Sequence, residues 1–286
     1  MDNRVLRFDH VRILINKMLM RGSKVTREGK YVMSNVPRQL VYGTMVYEPQ
    51  TIVSDTSCAL SRQITIATRY SAVRGQFGSQ NGSLETRVID YQTQQSWLFP
   101  LLASAYAFRF VGKRLKWLYT DVTQRLQAGD FSTLPEAHTC TADLKSLTTS
   151  ITALPSGKKP VGTTAYMGRM EHLMRCTSDI QGAEGWLKSH VVLQAFEARA
   201  ARMSVACAQK LAKFVNPEEG FAEISPNLVE ASVAHCQLIV VSKFIEKLQQ
   251  DIPGKGVKEQ LEILCSVYAL HLLHKHQGSL QCHCAS

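Results

Sequence analysis

Two long stretches with a helical spacing of apolar residues constrain the fold of this chain more than any other feature of its sequence. One covers residues 38–74 and the other covers residues 90–128. Apolar side chains that recur every three or four positions favour amphipathic helices. Because each helix must bury its apolar face against another element of the domain, the pattern predicts a mainly α protein.

Further helical patterns follow in the second half of the chain. They cover residues 135–151, 183–214, 225–250 and 256–276, and helical periodicity also resumes at about residue 164. In the stretch 225–250 an apolar stripe repeats at spacings of three and four, and it consists of Leu238, Val241, Ile245 and Leu248. Asn216-Pro217 and the run Pro253-Gly254-Lys255-Gly256 are typical helix breaks, so they separate successive helices.

Residues 1–36 differ from the rest of the chain. Apolar residues from Val5 to Ile15 partly alternate with polar ones, which predicts the edge of a β element. Proline, glycine and a lysine pair at residues 154–162 mark the strongest break and predict a linker. The predicted organisation is therefore two helical bundles, residues 37–153 and 163–277, preceded by a β remnant and followed by a divergent tail, residues 278–286.

Charge, cysteine content and hydropathy narrow the class of protein. The formal net charge is +10, and residues 1–130 carry +9 of it, so we expect any anionic partner to bind there. The eight cysteines form no disulfide framework, and the amino terminus is charged from Asp2 onward, which predicts an intracellular protein without a secretory signal. The longest apolar stretch, residues 98–111, contains Arg109 and is too short to span a bilayer.

Two kinds of site receive no support from the sequence. The carboxyl-terminal tail is rich in histidine and cysteine, but its spacing matches no structural zinc site, so no metal site is predicted. The basic residues lie in no nucleic-acid-binding motif, and we therefore expect no nucleic-acid partner. A basic cluster at residues 109–116 is interpreted as a solvated face, and Trp117, Leu118 and Tyr119 as core residues.

One local group of residues, at positions 69–78, has side chains suited to binding a nucleotide cofactor. Two arginines five positions apart end a helix, and a glycine-framed loop then presents Gln76 and Phe77. The guanidinium of an arginine can donate two parallel hydrogen bonds to a pyrophosphate, and an aromatic ring can pack on a flat ring of a cofactor. Glycine allows the backbone to approach a ligand closely. The same pattern is also typical of an ordinary helix end with basic residues and a glycine cap, and this alternative stays open.

The following helix adds a second candidate set. Asp90 is a plausible N-cap, and Gln92 and Gln95 share one helix face at a spacing of three. These two amides could meet the same ligand as the loop, or only solvent.

The segment 55–78 resembles the acyl-CoA oxidase and acyl-CoA dehydrogenase superfamily, and it is more similar to plant peroxisomal acyl-CoA oxidases. The resemblance continues through most of residues 5–277, in particular at residues 8–13, 36–43, 98–111, 195–208 and 233–248. It implies the two carboxyl-terminal helical domains of that family, preceded by the end of its middle β domain.

The resemblance also implies a chemistry. Family members oxidise a fatty acyl-CoA to the trans-2-enoyl-CoA with FAD, a glutamate base removes the α-proton, and oxygen reoxidises the flavin to give hydrogen peroxide. In the family the Arg-x-Gln-Phe-Gly loop contacts the FAD of the neighbouring subunit. This carries over to Arg74, Gln76 and Phe77, with Gln92 as a further cofactor-binding residue.

Departures from the family pattern are as informative as the match. The family places its catalytic glutamate in a passage with Gly-Gly-His-Gly and Tyr-Glu-Gly-Asp, whereas this chain runs from Ile151 almost directly to Ser156. No catalytic residue is therefore assigned, and neither Glu136 nor Asp143 is an obvious substitute. We expect an inactive chain or, alternatively, a helical interaction module that pairs with itself or with a full-length oxidase. The resemblance implies a peroxisomal location, whereas the Cys-Ala-Ser terminus carries no peroxisomal address and leaves the cytosol as the alternative.

Overall fold

The structure is a computed structural model, and it describes residues 7–20, 23–33, 38–77, 85–141, 162–175 and 182–276. The chain divides into two compact units, Met1–Met45 and Val46–Ser286. Helices dominate the described residues, which confirms the predicted mainly α class.

The first unit contains a small β hairpin. Strands β1 (Ser23–Val25) and β2 (Tyr31–Met33) pair antiparallel, with Lys24 opposite Val32. The predicted β edge further upstream is wrong in the described part, because residues 7–20 contain only a 3-10 turn, Ile15–Lys17. The apolar side chains of that segment are exposed, so the alternation there has no buried face that would favour a strand.

The second unit is built from helices, and α1 begins in the first unit and continues into the second. In its described part the helices are α1 (Arg38–Val73), α2 (Gln92–Gln127), α3 (Leu134–Thr141), α4 (Met170–Arg175), α5 (Ser189–Leu211), α6 (Pro217–Glu223), α7 (Ser225–Gln249) and α8 (Lys255–Lys275). The same described residues include the 3-10 segments Val88–Asp90, Gly162–Arg169 and Ala183–Leu187. A short ladder, β3 (Gly75–Gln76) with β4 (Thr86–Arg87), joins α1 to α2.

Helix α7 lies at the centre of the main core. It packs against α5, α2 and α8, and its predicted stripe of four apolar residues is buried at every position. Phe196 of α5 and Phe244 of α7 are almost fully buried, and Phe110 of α2 meets Phe244 edge to face with ring centroids 5.1 Å apart. These contacts bury large aromatic areas and hold the three helices together.

By length and composition α7 is also apolar enough to cross a membrane. Just over half of its most apolar window is buried inside the protein, where it contacts three neighbouring helices. Burial of this kind is typical of a core helix.

Helices α1 and α2 pack antiparallel. Tyr47 meets Tyr119 with ring centroids 5.4 Å apart, and at the other end Gln94 donates to Ser71. Between these points Gly112 allows a close approach, because a Cβ at this position would lie 3.3 Å from the Ser54 Cα. The two helices therefore bring the end of α1 beside the start of α2.

Most helix boundaries agree with the sequence patterns, and the differences have local causes. Asp90 is wrong as an N-cap, because it pairs with Arg87 and α2 begins at Gln92 with Tyr91 in the cap position. Trp117 is wrong as a core residue: its ring is half exposed, and the Arg114 guanidinium lies 4.3 Å from its centroid. Helix α6 lies in the break predicted after Asn216.

The predicted division into two bundles stays a prediction. The linker at residues 154–162 and the end of the helical stretch 135–151 lie almost entirely outside the described residues. Helix α2 of the first predicted bundle packs against α7 and α8 of the second, so these three helices share one core.

Candidate functional site

The candidate cofactor loop begins where α1 ends. The Arg74 N–H donates to the carbonyl of Tyr70 at 2.9 Å and closes the last helical turn. The next two residues form β3, with Gly75 opposite Arg87 and Gln76 opposite Thr86. The Val88 N–H then donates to the Arg74 carbonyl at 2.8 Å. Backbone hydrogen bonds therefore fix residues 74–76 against residues 86–88.

Glycine at position 75 is required by this close approach. A Cβ on Gly75 would lie 2.8 Å from the Cβ of Glu85 and 2.9 Å from its carboxylate oxygen Oε2. A separation of 2.8 Å between two Cβ atoms is not tolerated, so a larger residue would push the strands apart. The close approach of Glu85 thus explains why position 75 of the loop is a glycine.

A tyrosine hydroxyl holds the other side of the loop. Tyr91 donates its hydroxyl proton to the Gln76 carbonyl at 2.8 Å. Because Gln92 follows Tyr91 and begins α2, this bond brings the start of α2 beside the loop. The role of Tyr91 is not predictable from the sequence, since nothing in its local pattern indicates a contact with a residue 15 positions away.

The two other glutamines near the start of α2 have structural roles. Gln94 donates through Nε2 to the hydroxyl oxygen of buried Ser71 at 3.0 Å. Gln95 donates through Nε2 to the carbonyl of Ile89 at 3.1 Å. Of the predicted pair, Gln95 is therefore used inside the protein, whereas the Gln92 side chain is exposed.

All four predicted cofactor-binding side chains are exposed: Arg74, Gln76, Phe77 and Gln92. Phe77 is the most unusual of them, because its ring is 76% exposed and its backbone has φ of 55°. A left-handed conformation costs free energy for a bulky residue, and such positions cluster at functional sites. The loop and the first residue of α2 thus present a cation, two amides and an aromatic ring beside a backbone that hydrogen bonds hold in place.

Positive charge at this loop is only partly neutralised. Arg87 pairs with Asp90, with 3.0 Å between Nε and Oδ2. Arg69 and Arg74 are exposed and have no acidic partner within the described residues. Two guanidinium groups remain available for an anionic group brought by another molecule.

Two carboxylates that line one cavity are held in ion pairs. Glu136 and Glu197 line a cavity of about 420 Å³ between α3, α5 and α7. Glu197 accepts from the Arg169 guanidinium at 2.8 Å through both oxygens, and Glu136 lies 3.8 Å from Arg114. Both carboxylates therefore face a guanidinium group, and Asp143 lies outside the described residues.

Two buried thiols and a buried phenol are also unreactive at neutral pH. Burial raises the pKa of Cys265 to about 12 and also raises the pKa of Cys207, so these thiols are protonated at neutral pH. Burial likewise raises the pKa of Tyr166, whose hydroxyl is hydrogen-bonded to His235 Nδ1 at 3.0 Å inside the core. Within the described ranges no three His, Cys, Asp or Glu side chains are grouped as for a metal ion.

Comparison with known proteins assigns the family. Residues 42–201 match the family described as "Acyl-CoA oxidase, C-alpha1 domain", and residues 188–284 match the family described as "Acyl-CoA oxidase". The chain belongs to the acyl-CoA oxidase family. The predicted resemblance is therefore confirmed, and the two matches together cover the helical part of this oxidase-family chain.

Two plant proteins are highly similar to this chain. "Peroxisomal acyl-coenzyme A oxidase 1" of Arabidopsis thaliana is 60% identical, over 97% of this chain and 50% of the relative. The crystal structure of the tomato acyl-CoA oxidase LeACX1 is 58% identical, with a TM-score of 0.89 over 96% of this chain and 50% of that one. The chain thus spans about half the length of these relatives.

A more distant solved structure shares the fold. Acyl-CoA oxidase-2 of Caenorhabditis elegans, whose structure has FAD, ascaroside-CoA and ATP bound, is 23% identical with a TM-score of 0.80. It covers 94% of this chain, which covers 48% of it. The arrangement of the helices is therefore retained at low sequence identity.

The Arabidopsis alignment also shows an internal difference in length. It extends over 333 positions, whereas the whole chain has 286 residues. At least 47 aligned positions, the difference between 333 and 286, therefore have no counterpart in this chain.

Proposed function

We propose that this chain is the carboxyl-terminal helical part of an acyl-CoA oxidase of peroxisomal fatty-acid β-oxidation. In this proposal its Arg74–Phe77 loop contacts FAD that another subunit holds. When bound, FAD accepts the hydride from the β-carbon of a fatty acyl-CoA and passes electrons to oxygen, which gives hydrogen peroxide. The observation that carries the proposal is the loop held by backbone and tyrosine hydrogen bonds, which together with Gln92 of α2 presents four exposed side chains.

The side chains of the loop suit a contact with part of such a cofactor. The Arg74 guanidinium matches the geometry of a pyrophosphate, the Phe77 ring can pack on a flat ring, and Gln76 and Gln92 can hydrogen-bond ring edges or ribose. All four are open to solvent, so the loop offers one face of a site and a second chain would complete it.

Under the same proposal, we expect the isolated chain to have no acyl-CoA oxidase activity. We place the missing internal positions between Ile151 and Ser156, where the family carries its glutamate base. The length of the Arabidopsis alignment supports an internal loss of this size. Loss of a general base alone lowers a rate by about 10² to 10⁴.

A peroxide assay tests this part of the proposal. Purified chain, supplied with FAD and a series of fatty acyl-CoA substrates, should give no acyl-CoA-dependent hydrogen peroxide above a heat-denatured control. The tomato oxidase serves as the positive control. Sustained turnover by the chain alone would refute the assignment of an inactive chain.

The domain boundaries and the location belong to the proposal as well. We assign residues 37–153 and 163–277 to the first and second helical domains, residues 154–162 to the linker, and residues 1–36 to the end of a β domain. The names of the plant relatives support a peroxisomal location, with the cytosol as the alternative.

A second candidate function, a non-enzymatic interaction module, is favoured by one surface of α1. Ile66, Tyr70 and Val73 lie on one side of the helix and are 69%, 60% and 82% exposed. They lie opposite Ile64 and Ser71, which are buried toward α2, and we call them the outer face of α1. An apolar helix face of this kind is typical of an interface.

We propose that a full-length acyl-CoA oxidase chain occupies the outer face of α1. The face lies at the same end of α1 as the candidate loop, and Arg62 and Arg69 flank it. A subunit that covers this face would therefore also reach the loop. A second copy of this chain is the competing occupant, and the experiment below separates the two.

Co-expression with a tagged full-length plant oxidase tests the pairing. We expect a mixed oligomer on size-exclusion chromatography, lost in Ile66→Lys and retained in Val257→Lys, whose position on α8 is also exposed. Failure to form any mixed oligomer at micromolar concentration contradicts the interaction module. A homodimer that persists in excess full-length oxidase identifies a second copy as the occupant instead.

A further inference from the structure

A buried arginine lies at the junction of α5, α7 and the end of α8. Arg199 of α5 is only 3% exposed, and one guanidinium nitrogen donates to the Gln237 side-chain oxygen Oε1 at 2.5 Å. On its other side the Gln237 amide lies 3.2 Å from Nε2 of His276. Gln237 thus connects a buried cation to the residue that ends α8.

The chemistry of arginine fixes the orientation of this amide. A guanidinium has five donors and no acceptor, so the atom of Gln237 that faces Arg199 must be the carbonyl oxygen. The amide nitrogen consequently points toward His276. Because that nitrogen can only donate, Nε2 of His276 must accept, and the imidazole must carry no proton there.

His276 also ends the last helix through its backbone. Its N–H is shared between the carbonyls of Leu272 and Leu273, each at 3.2 Å. The backbone of His276 therefore closes the last turn of α8, and its side chain attaches that end to α7 and, through Gln237, to α5.

We propose that His276, Gln237 and Arg199 form a pH-sensitive latch that holds the carboxyl end of α8 to the core only while His276 is neutral. Protonation of Nε2 replaces the acceptor by a donor, so two N–H groups then face each other. It also places a second positive charge close to buried Arg199. Both effects release the end of α8.

The surrounding charges agree with this direction. Burial lowers the pKa of His276, and the positive charges of Arg199 on α5 and Lys275 on α8 lower it further. Glu230 on α7 acts in the opposite direction and offsets part of this effect. Burial also lowers the pKa of the Arg199 guanidinium, which Glu230 partly offsets.

The sign of the pH dependence follows. A released histidine binds its proton with a pKa of about 6.5. The latched histidine binds a proton less readily, so the released form takes up more protons. The contribution of the latch is therefore complete above about pH 6.5 and is lost progressively as the pH falls below that value.

An NMR titration of the histidine ring protons tests the latch directly, with His276→Gln used to assign the signal. In the wild-type chain we expect His276 to titrate below about 6.5. In Gln237→Glu a carboxylate accepts from both Arg199 and protonated His276, so we expect titration above about 6.5. An unchanged titration point in Gln237→Glu, or a wild-type value at or above that of a free histidine, overturns the latch.

Hydrogen exchange gives a second readout that does not depend on the Gln237 variant folding. After correction for intrinsic rates, amides in the last turn of α8 should lose protection below about pH 6.5 in the wild-type chain. His271→Gln, at an exposed position on the same helix, should keep this pH dependence. His276→Gln should abolish it, and full retention in that variant overturns the proposal.

Discussion

The core around α7 and the outer face of α1 show opposite ways of using apolar helix surface. Helix α7 buries its apolar stripe against three neighbours, and its Phe244 is fully buried. Helix α1 packs one side on α2 and leaves Ile66, Tyr70 and Val73 exposed on the other. The first region is covered within the chain, whereas the second carries an exposed apolar face next to the loop that we propose contacts FAD, and we propose that a second chain covers both.

Truncating the core should have the largest effect on stability. Phe244→Ala removes a fully buried ring and leaves a cavity, so we expect a loss of about 3–5 kcal/mol in the free energy of unfolding. Phe77→Ala, at an exposed position of the loop, should change stability by less than about 0.5 kcal/mol. Urea unfolding followed by circular dichroism measures the stability of both variants. Equal losses of stability would contradict the difference proposed between the buried core and the exposed loop.

Adding one methyl group at position 75 should have the next largest effect. Gly75→Ala forces its Cβ against Glu85, so we expect a loss of about 1–3 kcal/mol on urea unfolding. Gly168→Ala is the matched control, because no atom lies within 4 Å of a Cβ built there. A Gly75→Ala chain as stable as the control would show that Gly75 does not pack closely against Glu85.

Removing one hydroxyl should loosen the loop by a smaller amount. Tyr91→Phe deletes the hydrogen bond to the Gln76 carbonyl, and we expect a loss of about 0.5–1.5 kcal/mol. Hydrogen exchange at the Val88 amide, which bonds the Arg74 carbonyl, should report the same loosening locally. Tyr31→Phe, at an exposed position of β2, provides the control, and an equal change there would remove the special role of Tyr91.

The smallest effect on stability is expected on the outer face of α1. Ile66→Lys places a charge on a surface that is already exposed, so unfolding should change by less than about 0.5 kcal/mol. Pairing with a full-length oxidase should nevertheless be lost. Analytical ultracentrifugation of the mixture measures the pairing, and destabilisation by several kcal/mol would mean that this face is buried within the chain.

Long helices could be predicted closely because their signals are local and repeated. The predicted helix at 225–250 is α7 (Ser225–Gln249), and the predicted helix at 256–276 is α8 (Lys255–Lys275). Periodic apolar residues between clear Pro and Gly breaks define such helices without tertiary information.

Short elements and polar contacts could not be predicted in the same way. The segment Gly162–Arg169 has a helical pattern but is a 3-10 helix, and Asp90 bonds Arg87 instead of capping α2. The residue types of the candidate loop and the family resemblance predict its cofactor contact, which stays a prediction, whereas the role of Tyr91 depends on a contact that only the packing of α1 on α2 creates. Non-local contacts of this kind leave no periodic signal in the sequence.

Flavin retention by the Arg74 loop tests the central claim most directly. The purified chain, incubated with FAD and desalted, should retain no flavin absorbance band. Mixed oligomers with a full-length oxidase should retain flavin, and Arg74→Ala in this chain should release part of it while oligomer formation persists. A stoichiometric flavin band on the chain alone, or flavin retention in the mixture that is unaffected by Arg74→Ala, contradicts the account.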